Sequence, residues 1–146
     1  MSQLSTSQPR VACIWGANGI SGIAMIDHLI NQSCQQWNRI ICISRRSCQL
    51  NFHDKRIEFL SIDILNSTVE QIVEQLKQIN GHEITDVFHY TYIQKSTEEE
   101  LDEINRILLE KTLDACQQIA GTNIRTFSLQ TGYKVYIYQQ MLIVFF

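Results

Sequence analysis

The sequence predicts an α/β fold, a doubly wound parallel sheet, and three observations predict it. Short apolar or β-branched runs recur along the chain, they are apolar almost continuously, and stretches of helical period separate most of them. A strand reads this way when helices cover both of its faces. With 146 residues the chain can build one domain with its own core, and it is too short for two.

The elements follow in order. Strands are expected at 11–15, 40–43, 57–62, 85–90 and 124–129. Between the first two, Ile23, Ile26, Leu29 and Ile30 form one helical stripe. The segment 47–56 has no helical period and reads as a loop. A second helix opens at Ser67-x-x-Glu70, a capping box, continues through Val69, Ile72, Val73, Leu76 and Ile79, and stops at Gly81. A third opens at Ser96-x-x-Glu99, carries Leu101, Ile104, Leu108, Leu113, Cys116 and Ile119, and closes at Gly121. Its acidic run 98–103 reads as a solvated first turn that the helix dipole favours, rather than as a metal site. Three ranges result: a frayed tail over 1–9, the α/β domain over 10–134, and a divergent apolar tail over 135–146.

Composition narrows the function classes. At 45% apolar and 18% charged residues the chain reads as soluble and globular. A net charge of −3 provides no basic footprint, so neither nucleic acid nor an anionic membrane is an expected partner. The polar first eight residues lack the apolar core of a signal peptide. Five cysteines form no C-x-x-C pair, and Cys13, Cys42 and Cys116 sit in apolar patterns, which suits buried thiols in the cytoplasm. No metal site is expected: His28, His53 and His82 show no ligand spacing, and His89 reads as a packed or rim residue.

The chemistry concentrates in WGANGISG, residues 15–22. Gly16, Gly19 and Gly22 follow the first strand and open the first helix. In that position Gly16 supplies a tight turn, Gly19 lets the backbone approach a pyrophosphate, and Gly22 lets the helix pack closely. Asn18 and Ile20 fall within the same turn. The spacing is G-x-x-G-x-x-G rather than the commoner G-x-G-x-x-G, and a turn built for packing alone stays open as an alternative. At the end of the second strand stands Ser44-Arg45-Arg46, with no acid between residues 40 and 52. A carboxylate there would bond a ribose 2′-hydroxyl, whereas two guanidiniums match a 2′-phosphate in charge and fork geometry. NADPH is therefore the expected cofactor. Asp63 and Ile64, past the third strand, are expected to flank the adenine. Asp63 reads equally as an acceptor for the adenine amine and as a turn residue.

WGANGISG, the Ser44-Arg45-Arg46 turn and Asp63-Ile64 together resemble the atypical extended short-chain dehydrogenases. VFHYTYIQKSTEEE (87–100) and SLQTGYKVY (128–136) narrow the resemblance to the progesterone 5β-reductase/iridoid synthase family. It runs from about Val11 to Tyr136. The resemblance implies an NAD(P)-binding Rossmann fold and an NADPH-dependent reductase that adds hydride to the β-carbon of an enone or enal. It places Gly19 and Ile20 at the pyrophosphate, Arg45 and Arg46 at the 2′-phosphate, Asp63 and Ile64 at the adenine, and Thr91 and Gln130 along the cofactor. Lys134 matches the family's catalytic lysine, whose charge would stabilise an enolate.

The sequence departs from the family after Tyr136. The family's catalytic tyrosine and its substrate-binding half have no counterpart in IYQQMLIVFF. Tyr133, Tyr136 and Tyr138 match no motif and read as structural. The expectation is thus a cofactor-binding portion, truncated after the fifth strand and inactive alone, that would act on a small molecule if completed. The alternative is a non-catalytic NADP(H)-binding module or an incomplete gene product. Exposed, MLIVFF would favour self-association.

Overall fold

The structure, a computed structural model, describes residues 8–46 and 51–131. Five parallel strands, β1 (Arg10–Trp15), β2 (Trp37–Ser44), β3 (Ile57–Ser61), β4 (Asp86–His89) and β5 (Thr126–Leu129), lie in the order β3-β2-β1-β4-β5. The chain winds outward through β2 and β3, then returns to the other side of β1. The switch point is therefore between β1 and β4. At the carboxyl ends of the central strands, Trp15 stands level with Ile43 and His89.

Three helices connect the strands: α1 (Ile20–Ile30), α2 (Val69–Gln78) and α3 (Glu98–Ala120). Alternate residues of β1 serve two cores, as the doubly buried reading requires. Ala12 and Ile14 pack with Ile26 and Leu29 of α1. Val11, Cys13 and Trp15 pack with Ile72 and Leu76 of α2 and Leu108 and Cys116 of α3. Cys13, Cys42 and Cys116 are buried, as expected, and burial pushes the Cys116 thiol up to about 12. Among the described residues no helix is long and apolar enough to cross a membrane, and no cluster of metal-ligating side chains occurs.

Several boundaries differ from the sequence reading. Strand β2 begins at Trp37 rather than at residue 40, because Trp37 and Arg39 pair with Arg10 and Val11 of β1; the Arg39 side chain reaches Glu58 of β3 and donates to its carboxylate at 2.7 and 2.9 Å. Both helix caps move by one residue, and only the one on α2 is a reciprocal box. Thr68, not Ser67, caps α2: its hydroxyl accepts from Gln71 N, and the Gln71 side chain accepts from Thr68 N. Ser67 is already committed to the preceding turn, where its N–H donates to Asp63 O at 3.0 Å. Thr97, not Ser96, caps α3, which places Glu98, Glu99 and Glu100 in the first turn, where the dipole stabilises them. Helix α2 ends at Gln78, and the chain reverses at Asn80, which takes the left-handed conformation one residue before the Gly81 at which the sequence places the stop. Strand β5 starts at Thr126 because a single 3₁₀ turn over Gly121–Asn123 intervenes. The apolar tail at 135–146 lies outside the described residues, as does Cys48.

The amino ends of the strands are closed by ion pairs. Arg10 meets the fully buried Asp86 and also stacks over Trp37, 4.1 Å from the ring centroid. Arg39 bridges Glu58 and Glu83, and Arg56 meets Asp54 at 2.7 Å. Burial opposes ionisation of Asp86, but the bonds from Arg10 and the Thr85 hydroxyl outweigh it and hold its pKa below the ordinary value.

Candidate functional site

The opposite end of the sheet holds a cleft of about 300 Å³, at the switch point where open α/β sheets bind ligands. Its floor is the glycine turn. Gly16 leaves β1 at φ +83°, and a Cβ there would lie 2.8 Å from Tyr90 C and 2.9 Å from Thr91 N. Only glycine fits both the left-handed backbone and that approach. The turn stays joined to the sheet through Gly16 N and Ala17 N, which donate to Ile43 O at 2.9 and 3.0 Å. Gly22 does a different job. A Cβ on it would meet Gly16 O at 2.3 Å and Ala17 Cα at 2.8 Å, so its bareness lets α1 sit directly on the turn.

The tip of α1 has no side-chain cap and no acid in its first turn. Its N-cap is Gly19. The first N–H groups of a helix have no intrahelical partner, so this tip presents donors and positive potential without a protein acceptor built into the chain. That makes it fit for an anion.

One wall of the cleft is the turn after β2. Three side chains bind its backbone: Ser44 Oγ and Asn18 Nδ2 donate to Arg46 O at 2.6 and 2.8 Å, and Ser61 Oγ donates to Arg45 O at 3.0 Å. The two guanidiniums are exposed, and among the described residues neither has an ion pair. The other walls are apolar: Ile62, Ile64 and Leu65 after β3, Leu108 of α3, and Tyr90, Tyr92 and Ile93 after β4. Thr91 lines the cleft with a buried hydroxyl that lacks a protein partner.

Most residues singled out in the sequence therefore converge. Gly16, Asn18, Gly19, Ser44, Arg45, Arg46, Ile64 and Thr91 line the cleft. Gly22 supports it from behind. Ile20 stands beside it at the helix tip, 92% exposed. Asp63 bonds within its own turn. Its carboxylate accepts from Asn66 Nδ2 at 2.9 Å and Asn66 N at 3.2 Å, and it does not line the cleft. Those bonds, against the pull of burial and with help from the Arg45 charge, hold its pKa below the ordinary range. Gln130 follows β5, exposed, with its N–H on His89 O at 3.2 Å. Lys134 lies outside the described residues.

His89 is buried and stacks on Phe127, with ring centroids 6.4 Å apart, and burial alone lowers its pKa to about 4. The packed reading of this histidine holds. The sequence reading missed Leu65, Leu108 and Ile93 as cleft walls. Leu108 falls on the helical stripe and reads as core, which it also is.

Similarity to known proteins agrees with this geometry. The chain is 33% identical over 129 residues to the short chain dehydrogenase gsfE of Penicillium aethiopicum, a match covering 88% of this chain and 33% of that protein. The chain is a relative of the short-chain dehydrogenases. It is also 31% identical over 129 residues to the (S)-8-oxocitronellyl enol synthase ISY1 of Nepeta racemosa, covering 87% of this chain and 32% of the relative. The chain thus spans about a third of the length of the curated relatives it matches. No family model matches it.

Solved structures share the fold. The Bordetella bronchiseptica enzyme WbmG, in complex with NAD, superposes with a TM-score of 0.61 at 14% identity, over 85% of this chain and 38% of that one. A short chain dehydrogenase from Burkholderia cenocepacia, in complex with NADP, gives 0.57 at 18% identity, over 79% and 48%. The sheet and helices of this short-chain dehydrogenase relative are those of the Rossmann fold.

Proposed function

We propose that this chain binds a nicotinamide dinucleotide at the carboxyl end of its sheet, and that the preferred form is NADPH. The observation that carries the reading is the pairing of an uncapped helix tip with two guanidiniums that form no ion pair among the described residues, all along one cleft. The bare Gly16 turn and the tip of α1 would hold the pyrophosphate, and Arg45 and Arg46 the 2′-phosphate. Ile64 and Leu65 would cover the adenine, and the unpartnered Thr91 hydroxyl would donate to or accept from the cofactor along the rim. Relatives of the chain are short-chain dehydrogenases, and fold neighbours were solved with NAD or with NADP, which supports the cofactor class.

The reaction class is an oxidoreductase, and the finer reading is reduction of an activated enone or enal. The bound cofactor would supply the hydride. Lys134 would place a positive charge near the oxygen on which negative charge develops. The resemblance to an iridoid-type enol synthase supports this reading. Because the relatives are about three times as long, the substrate class belongs to the whole enzyme type.

Titration of the purified chain with NADPH and NADH tests the cofactor proposal. NADPH is expected to bind at least about tenfold more tightly, the effect of one or two charge-assisted hydrogen bonds to the 2′-phosphate. Binding of neither would end the reading, and equal binding would end the NADPH preference.

A further inference from the structure

We infer that Lys111, on α3 and outside the cleft, is a positioning residue that sets the adenine-side wall. The inference rests on the cofactor reading above. Lys111 is half-buried, and its Nζ donates to three carbonyls of one loop: Ile64 O at 3.2 Å, Leu65 O at 2.9 Å and Ser67 O at 2.7 Å. An ammonium has three N–H donors, so all of them are committed to this loop. Among the described residues it has no carboxylate partner. Arg56, at the other end of the sheet, makes a similar set of bonds to Ile30 O, Gln32 O and Trp37 O, but Asp54 neutralises it.

The placement explains what the tether does. Ile64 and Leu65 line the cleft, and so does Leu108, three residues before Lys111 on the same helix, which belongs to the same buried cluster as Ile64. The ammonium therefore ties the loop that carries Ile64 and Leu65 to the helix that carries Leu108, and so holds the apolar lining against which a flat base would rest. The loop's other hydrogen bonds join it to itself, through Asp63 and Asn66 and through Ser67 N on Asp63 O, and its start to β2, through Ile62 N on Ser44 O at 3.0 Å. Loop backbone without secondary structure adopts many conformations, and ordering it in advance removes that cost from binding. Lys111 supplies this order across 44 to 47 positions in sequence.

The test compares two ligands on the wild-type chain and on Lys111→Met, which keeps an unbranched stem and removes every donor. Adenosine 2′,5′-bisphosphate needs the adenine wall. Inorganic pyrophosphate needs only the glycine turn and the α1 tip. K111M is expected to weaken the adenosine ligand by roughly tenfold, the loss of one to two net hydrogen bonds to a charged group, and to leave pyrophosphate affinity within about twofold. Should K111M fail to fold, Lys111→Gln, which retains an amide donor, carries the same comparison with an expected loss of about threefold. Unchanged binding of the adenosine ligand, or an equal loss of both ligands, overturns the positioning role while the cofactor reading stands. Failure of the wild type to bind either ligand overturns the cofactor reading, and the positioning role with it.

Discussion

The two ends of the sheet carry similar charges and treat them in opposite ways. At the amino ends of the strands Arg10, Arg39 and Arg56 are each matched to carboxylates, on Asp86, Glu58 with Glu83, and Asp54. At the carboxyl ends Arg45, Arg46 and Lys111 form no ion pair among the described residues, and the helix tip beside them has neither cap nor acid. The helices show the same split. Thr68 and Thr97 satisfy the first turns of α2 and α3 and acids follow, whereas α1 begins at a bare glycine. One end is electrostatically complete within the chain. The other holds unspent donors and positive charge that an anion would complete, and this separates a structural ion-pair layer from a binding cleft without any appeal to ancestry.

The comparison breaks most forcefully at Asp86. Its substitution by alanine leaves Arg10 without its partner beside a closed core, and removal of one member of a buried pair is severe. Because Arg10 is about one-third exposed, water recovers part of the loss, and an unfolding free-energy decrease of about 3 kcal/mol is expected by urea denaturation. The double substitution R10A/D86A should lose less than D86A alone, since no unpaired charge remains. A D86A loss under about 1 kcal/mol would show that the amino-end layer is not a stabilising unit.

The pH dependence sharpens the contrast through His89. Its folded pKa of about 4 lies below the ordinary 6.5, so the unfolded chain takes the proton first as pH falls. The stability due to neutral His89 is therefore complete above pH 6.5 and declines until about pH 4, by some 2–3 kcal/mol over that window. His89→Leu should abolish that slope in urea midpoints measured against pH. The amino-end carboxylates act in a separate window. Asp54, which the Arg56 side chain and backbone N–H hold at about 2, gives stability above its ordinary 3.8 that is lost only as pH falls towards 2. A slope between pH 6.5 and 4 that survives in H89L would disprove the assignment.

The smallest stability effect is expected at the carboxyl end itself. Replacing both Arg45 and Arg46 with glutamate should shift stability by no more than about 0.5 kcal/mol, because neither guanidinium is paired. The same variant should lose NADPH affinity by about 100-fold or more, through lost charge-assisted bonds and added repulsion. Calorimetric titration beside a denaturation curve reads both quantities. Lost stability with unchanged affinity would reverse the roles of the two ends.

Much of the cleft was legible in the sequence because its parts are backbone devices tied to residue type. A left-handed turn pressed against the next strand demands glycine, so Gly16 announces itself, and Gly22 does so by the same exclusion of a Cβ. Arg45 and Arg46 were legible because they follow a readable strand at once. Asp63 was not, since a carboxylate after a strand bonds a ligand or a nearby amide equally well, and only the folded turn shows Asn66 as its protein partner. The caps at Thr68 and Thr97 were misread by one residue for a related reason: each follows a serine with the same capping ability, and the preceding turn had already claimed the backbone of Ser67.

By itself the sequence determined the strand and helix alternation, the doubly buried core and the glycine turn, because hydrophobic period and steric allowance act over a few neighbouring residues. Tertiary structure alone decided which charges are spent. Whether Arg39 finds Glu58, whether Lys111 reaches the loop at Ile64, and whether Arg45 and Arg46 stay unpaired depend on residues that the winding of the sheet brings together. An ion pair or a tether of that kind leaves no local period, and it exists only once the strands have taken their order.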